Sequence, residues 1–105
     1  MAVKELTAAD FDAVIASDKL TVVDFWATWC GPCMMLGPVM EEVSAEMPDV
    51  DFYKVNTDEN VSLAMQLGID AIPCVFFFRN GKAVGQSLGF VHKDVMMKRI
   101  EAVLE

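Results

Sequence analysis

The chain reads as one α/β domain, a central mixed β-sheet flanked by helices in the order βαβαβαββα, and three features of the sequence predict it. Residues 20–25, Leu-Thr-Val-Val-Asp-Phe, are apolar on both alternating faces, the pattern of a central strand covered above and below. Segments with helical apolar spacing separate this run from later strands, which makes a right-handed βαβ unit. Asn80-Gly81 between two further strand-like runs is the strongest short signal of a hairpin, so an antiparallel pair joins the parallel part.

In chain order, a short strand is placed over residues 3–6. A helix follows Thr7, where Thr7-Ala8-Ala9-Asp10 resembles a capping box and Phe11, Val14 and Ile15 recur at helical spacing; it ends by Asp18. After the strand at 20–25 and a loop at 26–29, a long helix is predicted over 30–47. It carries Met35, Leu36, Val39, Met40, Val43 and Met47 on its inner face and is kinked at Pro38. A strand at 51–56 leads to a short helix at 60–67, with Asn60 as N-cap and Gly68 as the C-terminal stop. Strands at 75–79 and 83–88 flank the hairpin turn. A last amphipathic helix carries Val95, Met96, Ile100 and Val103.

Composition narrows the function. A chain of 105 residues, 54% apolar, is long enough to bury one core without metals or staples. Its 16 acids against 8 bases give a net charge of −8 with no basic cluster, which argues against nucleic acid and anionic membranes as partners. The longest uncharged apolar stretch, residues 71–78, falls far short of the ~18 needed to span a membrane. Met1-Ala2-Val3-Lys4-Glu5 lacks a basic stretch followed by an apolar core, so a cytoplasmic location is expected. In that reducing compartment three cysteines do not read as a disulfide framework, and two of them three positions apart point to redox or metal chemistry.

Those two lie in Trp29-Cys30-Gly31-Pro32-Cys33. Residues three apart on a helix face the same way with Cβ atoms ~5–6 Å apart, only slightly beyond the ~3.5–4.5 Å of a disulfide, so the pair can open and close. Cys30 at the helix start meets unpaired backbone N–H groups and the positive dipole end, both of which favour thiolate. This makes Cys30 the nucleophile and Cys33, one turn inside, the shielded partner. Pro32 is tolerated in a first helical turn, and Gly31 leaves the approach open. The competing reading, two ligands of a zinc site, has only Cys74 and His92 to complete it.

Trp26-Ala27-Thr28-Trp29-Cys30-Gly31-Pro32-Cys33, the Ile72-Pro73 pair and the closing Gly89 occur in the order found in the thioredoxin family, and the resemblance covers nearly the whole chain. It implies the thioredoxin fold and a redox-active disulfide between Cys30 and Cys33. It also implies a role for Asp24. An acid within a two-faced apolar strand is costly to bury charged, so it should have a raised pKa or a buried partner. The resemblance implies that this Asp lies beneath the second cysteine and exchanges a proton with it through water. The alternative is an edge or solvent-facing acid. Lys54 matches the family's lysine beside that acid, or is a solvated strand lysine. The resemblance makes the Ile72-Pro73 bond cis, placing Pro73 against Cys30; frequency alone favours trans. Trp29, Gly31, Pro32, Ile72, Pro73 and Gly89, with Phe90 beside them, would then form a shallow apolar groove for disulfide-bearing segments. Trp26 reads as core support.

The chain departs from the family at three points. Cys74 stands where Thr is usual and reads as an inert buried residue, an extra redox thiol or a third metal ligand. Met34 replaces a common lysine, and Phe90 a small residue. Of eight methionines, Met35, Met40 and Met96 fall at core spacing, while Met34 and Met97 are less easily placed. His92 is assigned no role.

The expected activity is thiol–disulfide exchange: Cys30 attacks a substrate disulfide and Cys33, deprotonated with help from Asp24, resolves the mixed disulfide. By resemblance the partners are disulfide-containing proteins and a thioredoxin reductase, through which NADPH and FAD act indirectly. No bound cofactor or metal is expected, and the chain is expected to be a monomer. Two rivals are a binding module with an incidental dithiol, and a metal or cluster carrier using Cys30, Cys33 and Cys74.

Overall fold

The computed structural model describes residues 2–104. Among the described residues nine elements follow in the predicted order: β1 (Val3–Glu5), α1 (Ala8–Ile15), β2 (Thr21–Trp26), α2 (Gly31–Glu46), β3 (Asp51–Asn56), α3 (Val61–Gln66), β4 (Cys74–Arg79), β5 (Lys82–Leu88) and α4 (Lys93–Glu101). The strands form one five-stranded sheet in the order β1-β3-β2-β4-β5. β3 is parallel to β1 and β2, whereas β4 is antiparallel to both β2 and β5. β2 is therefore central, which excludes the edge-strand reading of Asp24.

The period-two alternation of β2 and β4 sorts their side chains into two cores. Val22, Val75 and Phe77 pack with Leu36, Met40 and Val43 of α2 and Met96 and Ile100 of α4. Val23, Phe25, Cys74 and Phe78 pack on the opposite face with Phe11 and Ile15 of α1 and Leu63 of α3. Phe11 meets Phe25 and Phe78 edge-on, at 6.3 and 5.4 Å between ring centroids. Each fully buried side chain of this size contributes about 1.5–3 kcal/mol.

The turns carry the expected backbone. Asn80 and Gly81 both have positive φ, 54° and 80°, as a two-residue hairpin turn that follows strand twist requires. Gly68, φ +70°, closes α3: its N–H donates to Met65 O and that of Ile69 to Ala64 O, the paired bonds that satisfy a helix C-terminus.

Several expectations are corrected. Met35 is 60% exposed. At about 100° per residue it lies about 140° around α2 from the buried Met40, off the face that meets the core, whereas Val39 is partly buried and packs against that core. Val95 lies at the margin of the apolar face of α4, exposed rather than buried. Val103 falls beyond the end of α4 yet packs against the core. Neither capping prediction describes the bond that forms. Thr7 caps α1 through its backbone only, and the Asn60 side chain makes no cap bond to α3. Asn60 Oδ1 instead accepts the Ala8 N–H at 2.8 Å, and its amide donates to Asn56 O at 2.9 Å. The first N–H of α1 is thus satisfied from a loop 52 residues away.

Asn60→Ala is expected to lower stability by about 1 kcal/mol, the usual cost of losing a capping side chain, while Thr7→Ala changes it by less than about 0.5 kcal/mol. Urea unfolding of the two variants checks the contrast, and equal losses would contradict this assignment of the cap.

Candidate active site

Because β2 and β3 are parallel, their C-terminal ends lie on one edge of the sheet; β4, with Cys74 opposite Phe25, begins at that same edge. Loops 27–30, 57–60 and 69–73 converge there, outside the carboxyl ends of parallel strands where α/β sheets place their sites. Cys30 is the N-cap of α2 with extended backbone, and Pro32 lies in the first turn. Cys30 and Cys33 are joined as a disulfide, their Cα atoms 5.2 Å apart. The Cys33 N–H donates to Cys30 Sγ at 3.2 Å, so an unpaired donor of the helix terminus points at that sulfur. The two residues differ little in exposure, 5% for Cys30 and 2% for Cys33. Their surroundings distinguish them.

Cys30 looks towards the segment before β4. Its Sγ lies 3.8 Å from the Ile72 carbonyl oxygen, and the Ile72-Pro73 bond is cis, as the resemblance implies and against the frequency-based expectation. Gly89, φ +77°, donates its N–H to Pro73 O at 2.9 Å, which ties the end of β5 to the start of β4. Trp29 is 70% exposed, and its Nε1–H donates to Asp58 Oδ2 at 2.9 Å. Trp29 and Ile72 share a cleft of about 340 Å³ with Thr57, Ala64, Ile69 and Asp70. Gly31 and Pro32 are exposed beside it. Phe90 is not in that cleft; it meets His92 edge-on at 5.1 Å and packs against the α2/α4 core. Asp58 and the walls at Thr57, Ala64, Ile69 and Asp70 escaped the sequence reading, since no local spacing brings α3 beside Trp29.

Cys33 looks the other way, into a cleft of about 580 Å³ between α2 and the sheet, with Asp24, Trp26 and Lys54 on the sheet side and Met34, Gly37 and Pro38 on the helix side. Asp24 is buried in the middle of β2, in register with Lys54 on β3. Burial pushes its carboxyl up to about 7, with the Lys54 charge pulling the other way. Lys54 is half-buried, its Nζ 5.6 Å from the centre of the Trp26 ring. Trp26 packs against Ala27, Cys30 and Cys33, as core support requires, but its Nε1 is buried without a hydrogen bond. Met34 is exposed at the rim.

The three cysteines are not gathered. Cys74 belongs to the α1/α3 core, and the disulfide pair to a separate cluster with Ala27. Among the described residues no three His, Cys, Asp or Glu side chains could together hold a metal ion, and no helix is long and apolar enough to cross a membrane. The Cys74 thiol is pushed up to about 11 by its burial, then by the charges of Asp24 and Asp70. This environment favours the inert reading over a redox thiol or metal ligand.

A family model described as thioredoxin matches residues 2–102. Thioredoxin-1 of Saccharomyces cerevisiae is 48% identical over 83 residues, covering 79% of this chain and 81% of the relative. Thioredoxin 2 of Chlorobaculum tepidum is 43% identical over 99 residues, 92% of this chain and 91% of that protein. The solved structure of thioredoxin from Malassezia sympodialis matches with a TM-score of 0.89 at 38% identity, covering 98% of this chain and 91% of that one.

Two measurements follow from these environments. A folded carboxyl pKa raised from 3.8 to about 7 makes the folded state the better proton binder, so stability is lost as pH rises through that interval. Asp24→Asn is therefore expected to stabilise the protein by about 2–4 kcal/mol at pH 8 and to change little at pH 4. Denaturant titrations at both values check this, and an equal gain at each would point away from carboxyl ionisation. With its thiol near 11, Cys74 is roughly one-thousandth ionised at pH 8. In the reduced native protein it should resist iodoacetamide, reacting only on unfolding, as peptide mass mapping would read; labelling as fast as that of Cys30 would refute burial as its control.

Proposed function

The chain belongs to the thioredoxin family and is a thiol–disulfide oxidoreductase, and on that premise we propose which of its residues carry the exchange and in which direction it runs. Reduced Cys30 attacks a disulfide of a protein substrate as thiolate. A bond forms between Cys30 Sγ and one substrate sulfur, the substrate disulfide breaks, and the second sulfur leaves with the electron pair and takes a proton. The Cys33 thiol then gives up its proton, passed through water to Asp24. Its thiolate attacks Cys30 Sγ, closing Cys30–Cys33 and releasing the first substrate sulfur. Two electrons pass from the dithiol to the substrate.

The observation that carries this reading is the division around the disulfide: Cys30 at a helix N-cap beside the groove, Cys33 facing the cleft that holds Asp24. The N–H aimed at Cys30 Sγ favours its thiolate, and a carboxyl near neutral pKa can both accept and return a proton. Trp29, Ile72, Pro73 and Gly89 receive the substrate segment, whose backbone pairs with Ile72 as an added strand, while Phe90 stays on the α2/α4 side with His92. Gly31 and Pro32 shape the approach, and Lys54 steadies the Asp24 charge. The oxidised protein is returned to the dithiol by a thioredoxin reductase that carries the flavin and draws on NADPH; the chain holds no cofactor of its own. The reading places the chain as a monomer in the cytoplasm, where thiols are kept reduced and a disulfide that forms is transient and catalytic.

Cys33→Ser is expected to accumulate mixed disulfides with cell proteins that dithiothreitol releases, and Cys30→Ser to form none, as non-reducing gels with mass spectrometry would read. If Cys33→Ser traps nothing while non-covalent complexes persist, the chain is a binding module with an incidental dithiol.

A further inference from the structure

Trp26 brings to the Asp24 cleft a polar group that the exchange above leaves unused. The two residues stand two apart on β2, so their side chains leave the sheet on the same face, towards α2. Asp24 Oδ1 and Trp26 Nε1 are both shut from solvent, and neither is hydrogen-bonded to another protein atom. A carboxylate oxygen accepts and an indole N–H only donates. The residues Asp24 and Trp26 both line one cleft of about 580 Å³, which Cys33 also lines. A buried acceptor and a buried donor facing a common cavity are the groups that internal water satisfies. Packing alone gives no reason for the nitrogen, because a phenyl ring would cover Ala27, Cys30 and Cys33 without desolvating an N–H.

We propose that Trp26 is a positioning residue for the resolving step, its indole N–H holding a water against the Asp24 carboxyl so that this water relays the Cys33 proton. The proposal rests on the assignment of Asp24 as the proton acceptor. The indole N–H occupies one lone pair of the water and cannot accept, so a water proton turns to Asp24 Oδ1 and the other lone pair stays open to the Cys33 thiol. As the Cys33 proton moves to the water oxygen, a water proton moves to Asp24. The Cys33 thiolate then forms the bond to Cys30 Sγ, and the electron pair of the Cys30–substrate bond leaves on the substrate sulfur. Lys54, its Nζ 5.6 Å from the ring centre, helps to hold the indole. The other ionisable groups facing Asp24 are Lys54 from β3 and Cys33, Glu41 and Glu42 from α2; Cys74 of β4, on the opposite face of the sheet, feels the Asp24 charge only from across the sheet.

Trp26→Phe keeps the ring and removes the donor. With the reduced protein and Ellman's reagent, Cys30 releases the first chromophore and Cys33 the second, so the steps are read separately. The variant is expected to slow the second release about tenfold while the first stays within about twofold, because proton relay enters only the second. The pH midpoint of the second release should also move up, as the carboxylate loses the held water. An unchanged second release, or equal slowing of both with the midpoint unmoved, would overturn the proposal.

Asp24→Asn separates this failure from that of the underlying reading. If it leaves the second release fast, the acceptor assignment itself fails; if it slows that release while Trp26→Phe does not, only the role of Trp26 fails. Combining both substitutions should slow it no further than Asp24→Asn alone. Should Trp26→Phe not fold, the unmodified protein still decides: a persistent water cross-peak to the Trp26 indole proton is expected by NMR, and its absence overturns the proposal.

Discussion

Burying a carboxyl in the central strand is unfavourable in its charged form, and the active edge of this domain is arranged around that cost. β2 has neighbours on both sides, so Asp24 cannot turn outwards as an edge residue could. Lys54 in register on β3 offsets part of the penalty, and the cleft beneath α2 leaves the carboxyl beside space rather than packed hydrocarbon. The carboxyl is left poised near neutrality, a condition that destabilises the fold yet suits a group that gives and takes protons near pH 7. Stability is given up at this position and recovered in the two apolar cores on either side of it.

The same topology explains why the disulfide has two unlike sides. A parallel pair, β2 and β3, ends at the edge where antiparallel β4 begins, so the N-cap of α2, the loop before α3 and the segment before β4 meet without long connections. Cys30 faces that junction and Cys33, one turn along, faces the sheet. The N-terminus of α2 directs an N–H at the first sulfur, and the Asp24 cleft opens beside the second residue. One helical turn thus separates the sulfur beside the groove from the one beside the carboxyl cleft. Cys74, although next to Pro73, sits opposite Phe25 and follows it into the α1/α3 core. Strand alternation, not distance along the chain, sets it apart from the other two cysteines.

Local patterns announced the nine elements because each states its own periodicity: double-faced apolarity in residues 20–25, the Asn80-Gly81 turn, and helical spacing in α1, α2 and α4. The Cys30–Cys33 pair was legible for the same reason, since a three-residue spacing at a helix start defines its geometry without reference to the rest of the chain. Met35 misled because the rows of a long helix repeat on both sides, and only the sheet beneath selects which row is buried. Thr7 and Asn60 misled because a cap is read from adjacent residues, whereas the bond to Ala8 arrives from 52 positions away.

The sequence by itself determined the order of elements, a cysteine at the start of α2 with a second one turn inside, and the presence of an acid in an apolar strand, all properties carried by short-range spacing. Tertiary structure alone decided that β2 is central, that Trp29 reaches Asp58 and shares a groove with α3, and that Cys74 lies apart from the pair. It also decided that Asp24, Trp26 and Lys54 border one cleft with Cys33. These depend on which strands neighbour one another and which helix face meets the sheet. The physical reason is that such pairings are selected by burial summed over the whole chain, a quantity that no single segment contains.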